Sequence, residues 1–390
     1  MKNRLLYYPL DYLLPIVLFV LLIAYAVFDV TTNAQAGNAD LSRGRVYVVI
    51  VSILAFLLLY VLFHNPLFAL RLPSIPALIL ILSWLIIDNL INHSFSRAAQ
   101  INIMLCVLWI VTYYSFFQAT KQAHANQLFD LFFICLFFVY CAVNIYAQRN
   151  IAIANDREFG MTSYSYYLLS FLPAILLIKR KGIRAGLLII CSLFVLISLK
   201  RGPILALPII MLVYWYSKAK VGLSRIKAFR AILIVVFAYL AILSINYFTK
   251  GFLLDRFSNQ QLSSASGRDQ MWSIIWSQIQ SRDLLTLLYG MGSGASVKLL
   301  GTGVHNEWLE FLFTFGIIGV ILYFVLFVSL LKRYSRLIRL RSVFAPQYGS
   351  AVAFFFLSGL SDGFFFVYWS FYFFAILGYI EGLILRQNYS

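Results

Sequence analysis

Long apolar stretches recur along the chain and are separated by short polar segments. A helix that crosses the hydrocarbon core of a bilayer needs about 20 apolar residues, with a range of roughly 17–25. Windows of this kind predict transmembrane helices at 8–28, 46–63, 76–91, 100–118, 127–146, 163–178, 183–199, 203–217, 229–248, 307–331, 347–364 and 369–386. The pattern therefore predicts an all-α, polytopic membrane protein with about 12 transmembrane helices.

Composition excludes the soluble classes. Hydrophobic residues make up 62% of the chain and charged residues 12%, whereas soluble domains average about 45–50% apolar and about 25% charged residues. The four cysteines lie inside apolar runs without a CxxC pair, so we interpret them as small core side chains and not as a disulfide framework. The formal net charge of +17 would indicate nucleic acid in a soluble protein, so the positions of the charges matter.

The basic residues are unevenly distributed between the two sides of the predicted membrane. With the N-terminus in the cytoplasm, the inner segments contain 19 of the 31 Lys and Arg residues and no Asp or Glu. Cytoplasmic loops of membrane proteins carry such an excess of positive charge. We therefore predict that both termini are cytoplasmic, that the basic excess serves membrane orientation, and that no nucleic acid is bound.

One outer connection is far longer than the others and divides the chain. We predict transmembrane helices 1–9 in residues 1–248, a large extracytoplasmic loop in 249–306 and transmembrane helices 10–12 in 307–390; loops of that length are usually functional. Residues 266–281 read as an amphipathic helix within the loop. Its apolar positions are Met271, Ile274, Ile275 and Ile279, with Trp272 and Trp276 beside them. Because tryptophans favour the membrane–water interface, we predict an interfacial helix.

Basic residues at the outer start of the eighth predicted span form the first candidate site. The run Lys200-Arg201-Gly202-Pro203 places a proline in the first turn of a helix, where its missing N–H costs nothing. An arginine beside a helix N-terminus suits a phosphate group. The alternative is a pair of interfacial side chains that extend to the membrane surface.

The second candidate site is the start of the predicted interfacial helix. In Ser266-Gly267-Arg268, the arginine falls in the first turn and would face the membrane surface, where a lipid headgroup lies. The alternative is a local ion pair of Arg268 with Asp269 or Asp255.

The third candidate site immediately precedes the tenth predicted span. Asn306 is a plausible helix N-cap, and Glu307 and Glu310 fall in the first turn, where the helix dipole favours carboxylates. His305 would stand just outside that helix, where Glu307 or Glu310 is near enough to tune it for proton transfer. The alternative is a structural histidine in a capping region.

The remaining motifs are weaker. Gly290-Met291-Gly292 follows no strand and precedes no Lys-Ser/Thr pair, so we interpret it as a flexible wall beside His305 and not as a nucleotide site. No HExxH or DxD motif occurs, and we expect no metal. Asp11, Asp88 and Asp130 lie in predicted spans and are candidates for function, with their roles left open.

Taken together and in this order, the motifs resemble the O-antigen polymerase/ligase superfamily of bacterial glycan assembly enzymes. The resemblance covers most of the chain and implies a GT-C-like membrane glycosyltransferase in the inner membrane, with its active site facing the periplasm. It depends on Ser198-Leu199-Lys200-Arg201-Gly202-Pro203, Ser266-Gly267-Arg268 followed by Trp272, Gly290-Met291-Gly292, and His305-Asn306-Glu307-Trp308-Leu309 followed by Gly316-Ile317-Ile318-Gly319.

The resemblance also implies a reaction and roles for the residues. The donor would be a glycan on undecaprenyl pyrophosphate, transferred with inversion and without a metal or another cofactor. His305 would be the general base, and Arg201 and Arg268 would bind the pyrophosphate. Further contacts to phosphate or sugar would come from Arg256, Arg149, Arg157 and Lys200, with Asn306, Glu307 and Glu310 in support.

Two features favour a polymerase, which joins lipid-linked repeat units. Glycine follows eleven residues after Arg149 and after Arg256, one pair in each of the two largest outer loops, and the segment from Gly292 to His305 is compact. The alternatives are an O-antigen ligase, which transfers the glycan to lipid A-core, and a transporter or flippase of lipid-linked sugars. A polymerase implies a chain-length-determining co-polymerase and a flippase as partners, together with undecaprenyl-pyrophosphate-linked oligosaccharides and the bilayer.

Overall fold

The described part of the chain is helical throughout. A computed structural model describes residues 24, 72–92, 97–120, 125–154, 162–223, 243–244, 246–247, 250–251, 268–363 and 369–387, and these contain no strand. The helices are α1 (Ile75–Ile91), α2 (Arg97–Thr120), α3 (Ala125–Ala154), α4 (Tyr164–Ser170), α5 (Leu172–Leu177), α6 (Lys181–Ile197), α7 (Arg201–Lys220), α8 (Arg268–Gln280), α9 (Leu284–Tyr289), α10 (Ala295–Leu300), α11 (Glu307–Arg339), α12 (Ala345–Ser361) and α13 (Trp369–Gln387).

The apolar pattern located these helices well. Every predicted span from 76–91 to 203–217, and from 307–331 to the C-terminus, falls on a helix. The spans predicted at 8–28, 46–63 and 229–248 lie almost wholly outside the described residues. Four helical stretches of the described part are long and apolar enough to cross a membrane: Ala99–Thr120, Phe129–Ile153, Arg201–Lys220 and Glu307–Arg339. The structure thus supports a helical membrane protein, while the number twelve stays a prediction.

Several predicted boundaries were wrong, and α11, for example, continues to Arg339, beyond the predicted end at 331. The span predicted at 163–178 is divided into α4 and α5 at Phe171, and Pro173 occupies the first turn of α5, where it needs no hydrogen-bond donor. Helix α3 continues to Ala154, beyond the predicted end at 146. Arg149 therefore lies on a helix and not in a connection between helices.

The chain divides into two compact units, and several segments alternate between them. Unit 1 comprises residues 1–66, 111–207 and 371–390, and unit 2 comprises residues 67–110 and 208–370.

Unit 1 has an aromatic core. The rings of Tyr140 and Tyr167 are stacked with centroids 4.6 Å apart, and the hydroxyl groups of Tyr140 and Tyr372 lie 2.7 Å apart. Backbones also approach closely here, because a Cβ at Gly378 would lie 2.1 Å from the carbonyl oxygen of Tyr113. Dense packing of this kind fixes α3, α4 and the part of α13 that begins at Phe371 within the unit.

Unit 2 is organised around α11, which is broken at Gly316. That glycine has φ +67° and ψ −168°, outside the helical region. A break leaves the preceding carbonyl groups without their helical partners. In this unit three such carbonyl oxygens accept hydrogen bonds from elsewhere in the chain. The Phe313 oxygen accepts from the Met291 N–H (3.0 Å), and the Thr314 oxygen accepts from the Gly292 N–H (2.9 Å). The Phe315 oxygen accepts from Trp84 Nε1 (3.2 Å).

Candidate active site

His305 stands immediately before the N-terminus of α11. Asn306 has an extended backbone (φ −151°, ψ 113°), and its side-chain oxygen accepts a hydrogen bond from the Leu309 N–H at 3.1 Å. The predicted N-cap is therefore confirmed, as are the first-turn positions of Glu307 and Glu310. The cap fixes where the helix begins and therefore where His305 lies in front of it.

The ring of His305 contacts an aspartate that sequence reasoning missed. His305 Nδ1 lies 2.5 Å from Oδ1 of Asp362, the residue that follows α12. The Asp362 side chain is only 7% exposed, whereas the His305 side chain is 36% exposed. A buried carboxylate is costly without a hydrogen-bonded partner, so this contact favours a proton on Nδ1. The lone pair of a neutral ring then lies on Nε2.

A close helix contact explains how Asp362 reaches the histidine. A Cβ at Gly359 would lie 2.7 Å from the Tyr323 hydroxyl and 3.6 Å from the Glu307 Cβ, so α12 approaches α11 closely here and an added Cβ would have to displace the Tyr323 hydroxyl. Gly359 precedes Asp362 by three residues, and Glu307 follows His305 by two. The contact therefore brings the end of α12 beside the start of α11.

Arg268 contacts the same end of α12. Its Nη1 donates a hydrogen bond of 2.7 Å to the carbonyl oxygen of Ser361, the residue before Asp362. A cation is favourable there because the last carbonyl groups of a helix carry partial negative charge. Within the described residues this contact takes the place of the suggested ion pair with Asp269, and Asp255 lies outside them. Arg268 and His305 therefore contact two consecutive residues, Ser361 and Asp362.

Val304, which precedes His305, is held through both of its backbone polar groups. Its N–H donates to Glu310 Oε2 (3.0 Å), and its carbonyl oxygen accepts from Trp272 Nε1 (2.9 Å). The Val304 side chain is fully buried in a cluster with Ile275 and Phe313. The approach of the chain to His305 is therefore fixed by α8, α11 and the core between them.

Glu310 accepts hydrogen bonds from three parts of the chain. Besides the Val304 N–H, the Ser296 hydroxyl donates to Oε1 at 2.5 Å and the Thr314 hydroxyl donates to the same oxygen at 2.9 Å. The carboxylate in contact with the histidine ring is that of Asp362, whereas Glu310 contacts the segment that precedes His305 and Glu307 is buried against α12.

The predicted amphipathic helix exists as α8, but its apolar face was partly misassigned. Trp272, Ile275 and Ile279 share one face and join the cluster with Val304. Ile274 (44% exposed) and Trp276 (50% exposed) lie outside that face. Residues three, four and seven positions apart share a helix face, so Ile274 and Ile275 could not both be central to it. In the structure this face packs against protein.

The glycine motif contacts α11 and not the histidine. A Cβ at Gly290, which has φ +85°, would lie 2.4 Å from the carbonyl oxygen of Thr314. The N–H groups of the next two residues, Met291 and Gly292, donate hydrogen bonds to carbonyl oxygens at the break in α11. The motif is thus explained by a close backbone approach, and the suggestion of a flexible wall beside His305 has no support in these contacts.

The other predicted substrate contacts lie in unit 1 or outside the described residues. Lys200 Nζ donates to the Ser163 hydroxyl and stands 5.4 Å from the centre of the Tyr166 ring. Arg201 is the first residue of α7 and is partly exposed, and Arg149 is exposed on α3. Arg157 and Arg256 lie outside the described residues. No cluster of three metal-ligating side chains occurs among the described residues.

Comparison with known proteins agrees with the motifs. A profile of the family described as O-Antigen ligase matches residues 186–324. The matched range includes Arg201, Arg268 and His305, together with both glycine motifs, but it ends before Asp362. No curated protein matches the chain. Over residues 186–324 the chain is thus similar to the family described as O-Antigen ligase, in agreement with the resemblance of its motifs.

Proposed function

We propose that this protein is a surface-polysaccharide polymerase of the bacterial inner membrane. It transfers a glycan chain from undecaprenyl pyrophosphate to a sugar hydroxyl of a lipid-linked repeat unit. The reaction takes place on the periplasmic face, inverts the anomeric carbon and uses no metal. The family match over residues 186–324 supports glycan transfer in general, and the arrangement around His305 supports the chemistry.

The pair of His305 and Asp362 is the observation that carries the proposal. The Nδ1–H group of His305 donates a hydrogen bond to Asp362 and keeps its proton. Nε2 is then free to accept the proton of the acceptor hydroxyl. The acceptor oxygen then forms a bond to the anomeric carbon, while the bond from that carbon to the pyrophosphate oxygen breaks and its electron pair leaves with undecaprenyl pyrophosphate. Asp362 stabilises the imidazolium that results. The same residue holds the ring in one orientation, because it is itself buried.

Arg268 is suited to the departing pyrophosphate. A guanidinium has five N–H donors in a planar fork, and the bond to the Ser361 carbonyl engages one of them. An arginine held at one corner binds a phosphate with less loss of freedom than a mobile one. Arg268 would stabilise the charge that develops on the leaving group without a divalent ion.

The compact segment between Gly292 and His305 favours polymerisation over ligation. It contains one short helix, α10, bounded by Gly294 (φ +80°) and Gly301 (φ +73°). Hydrogen bonds from Ser296 and Val304 to Glu310 close the segment against α11. Ligases often carry a longer insertion here, so the short closed form supports the polymerase. The ligase reaction is the alternative because the matched family is described by it.

The experiment supplies purified protein in liposomes with lipid-linked repeat units, with and without lipid A-core. A ladder of chain lengths supports a polymerase, whereas a single transfer to lipid A-core shows a ligase, and movement of sugars without a new bond shows a flippase. His305→Ala should abolish the ladder and leave membrane insertion intact. Asp269→Asn, on the exposed side of α8, is the matched control and should leave the ladder unchanged. A ladder of wild-type length from His305→Ala would refute the mechanism.

A further inference from the structure

We infer that Glu310 and Trp272 are positioning residues for His305 and that they act through the backbone of Val304. The inference rests on the proposed function, in which His305 is the general base. Neither residue contacts the reacting atoms in this mechanism; each fixes one side of the residue that precedes the histidine.

The geometry of the peptide group gives these contacts their effect. The Val304 carbonyl and the His305 N–H belong to one planar peptide unit. The hydrogen bond from Trp272 Nε1 to that carbonyl therefore fixes the plane from which His305 begins. The bond from the Val304 N–H to Glu310 fixes the preceding plane. Val304, held at both planes and with its side chain buried, has little freedom left.

His305 needs such support because its backbone conformation is unfavourable. Its φ is +56°, in the left-handed region that residues with a Cβ rarely adopt. On the other side, Asn306 is held by its capping bond to the Leu309 N–H. The left-handed residue is thus enclosed between two fixed neighbours, and its ring reaches Asp362 from that position. Strained residues persist where the surrounding structure over-determines them.

The contacts of Glu310 indicate a geometric and not an electrostatic role. Its two oxygens accept from Val304, Ser296 and Thr314, and the ring of His305 meets the carboxylate of Asp362. A glutamine can reproduce this set of contacts. Its carbonyl oxygen would accept from the Val304 N–H, and its NH2 group would donate to the Ser296 and Thr314 hydroxyl groups, which can also act as acceptors. Alanine can reproduce none of it.

The test compares kcat and KM of Glu310→Gln, Glu310→Ala and Trp272→Phe in the liposome polymerisation assay. Glu310→Gln should keep kcat close to wild type, whereas Glu310→Ala should lower kcat roughly 10- to 100-fold because the base is displaced. Trp272→Phe removes the Nε1 donor, keeps an aromatic ring and should lower kcat less. KM for the lipid-linked donor should change little in each. Ser296→Ala, which removes a bond only to Oε1, is the matched control and should resemble wild type.

Each outcome decides the inference. If Glu310→Gln lowers kcat as far as Glu310→Ala does, the negative charge matters and the positioning role is refuted. A wild-type kcat in Glu310→Ala refutes it as well. If Glu310→Ala does not fold, Glu310→Gln and Trp272→Phe still decide, because Glu310→Gln keeps the side-chain volume and Trp272→Phe keeps an aromatic ring in the cluster. An active His305→Ala would overturn the proposed function, whereas an inactive His305→Ala with a fully active Glu310→Ala would overturn only this inference.

Discussion

The backbones of Gly290 and Gly316 are in such close contact that neither position has room for a Cβ. A Cβ built on Gly290 would lie 2.5 Å from the backbone nitrogen of Gly316, and one built on Gly316 would lie 2.6 Å from that of Gly290. Both residues have positive φ, +85° and +67°. The contact joins the glycine segment to the break in α11, the helix that begins beside His305.

Gly290→Ala and Gly316→Ala should therefore both destabilise unit 2 strongly. Each adds a Cβ within 2.5 Å of a backbone carbonyl oxygen, that of Thr314 or of Leu288, and each requires an alanine at positive φ. Overpacking and left-handed strain together predict a loss of roughly 2–5 kcal/mol in the free energy of unfolding. Thermal unfolding in detergent, followed by tryptophan fluorescence, measures the loss.

Two other glycines provide controls. Gly301 has φ +73° but open space around a Cβ, so Gly301→Ala should cost only the strain, roughly 1–2 kcal/mol. Gly186, within α6, also has open space, and Gly186→Ala should stabilise by roughly 0.5–1 kcal/mol. A loss at Gly290 no larger than at Gly301 would contradict the close approach.

The sequence predicted the elements of this region but not the contact between them. A sustained apolar run predicted α11, and Asn306 followed by two glutamates predicted its start, because caps and first-turn carboxylates are local features. A Gly-x-Gly pattern shows only that a backbone can approach something closely. That Gly290 meets a break in a helix 26 residues later depends on tertiary packing.

Asp362 was missed for the same reason. It lies near the end of the span predicted at 347–364, 57 residues after His305, and no spacing in the sequence links the two. The only signal was Gly359, three residues earlier, whose significance requires knowing that α12 packs against Glu307. Similarly, which apolar residues of α8 are buried depends on the position of Val304, and hydropathy alone could not distinguish Ile274 from Ile275.

Asp362 gives the second prediction. Asp362→Asn keeps an oxygen that can accept from His305 Nδ1 but removes the charge that stabilises the imidazolium, so kcat should fall by roughly 10²–10⁴-fold. Asp362→Ala should lower kcat at least as far, because this variant also loses the contact that orients the His305 ring. The polymerisation assay measures both variants beside Asp269→Asn, an exposed aspartate of α8. Wild-type activity in Asp362→Ala would exclude the pair from the mechanism.

The indole of Trp84 supports the break in α11 and gives a prediction about stability alone. Trp84→Phe removes the donor to the Phe315 carbonyl but keeps a ring that can stack on Tyr289, whose centroid lies 5.8 Å from that of the indole. Loss of one buried hydrogen bond should lower the free energy of unfolding by roughly 1 kcal/mol. Trp276→Phe, at a half-exposed position, should change it by less than about 0.5 kcal/mol. Equal effects of the two variants would contradict the role of the indole N–H.

Arg268 gives the last prediction, which separates substrate binding from helix capping. A lysine at this position can still donate one hydrogen bond to the Ser361 carbonyl, so Arg268→Lys should unfold at the wild-type temperature. It lacks the planar fork that binds a phosphate through two bonds. Loss of a charge-assisted bond of about 1.5–3 kcal/mol should lower kcat/KM for the lipid-linked donor roughly 10- to 100-fold.

The matched control is Arg282→Lys, because Arg282 is an exposed arginine that donates to the Gln278 side chain at 2.9 Å. Its kcat/KM should stay at the wild-type value. Arg268→Ala should lose both the donor site and the contact with α12, so its activity and its unfolding temperature should fall together. If Arg268→Lys retains full kcat/KM while Arg268→Ala is inactive, the arginine serves only to cap α12, and the pyrophosphate must be bound by other cations.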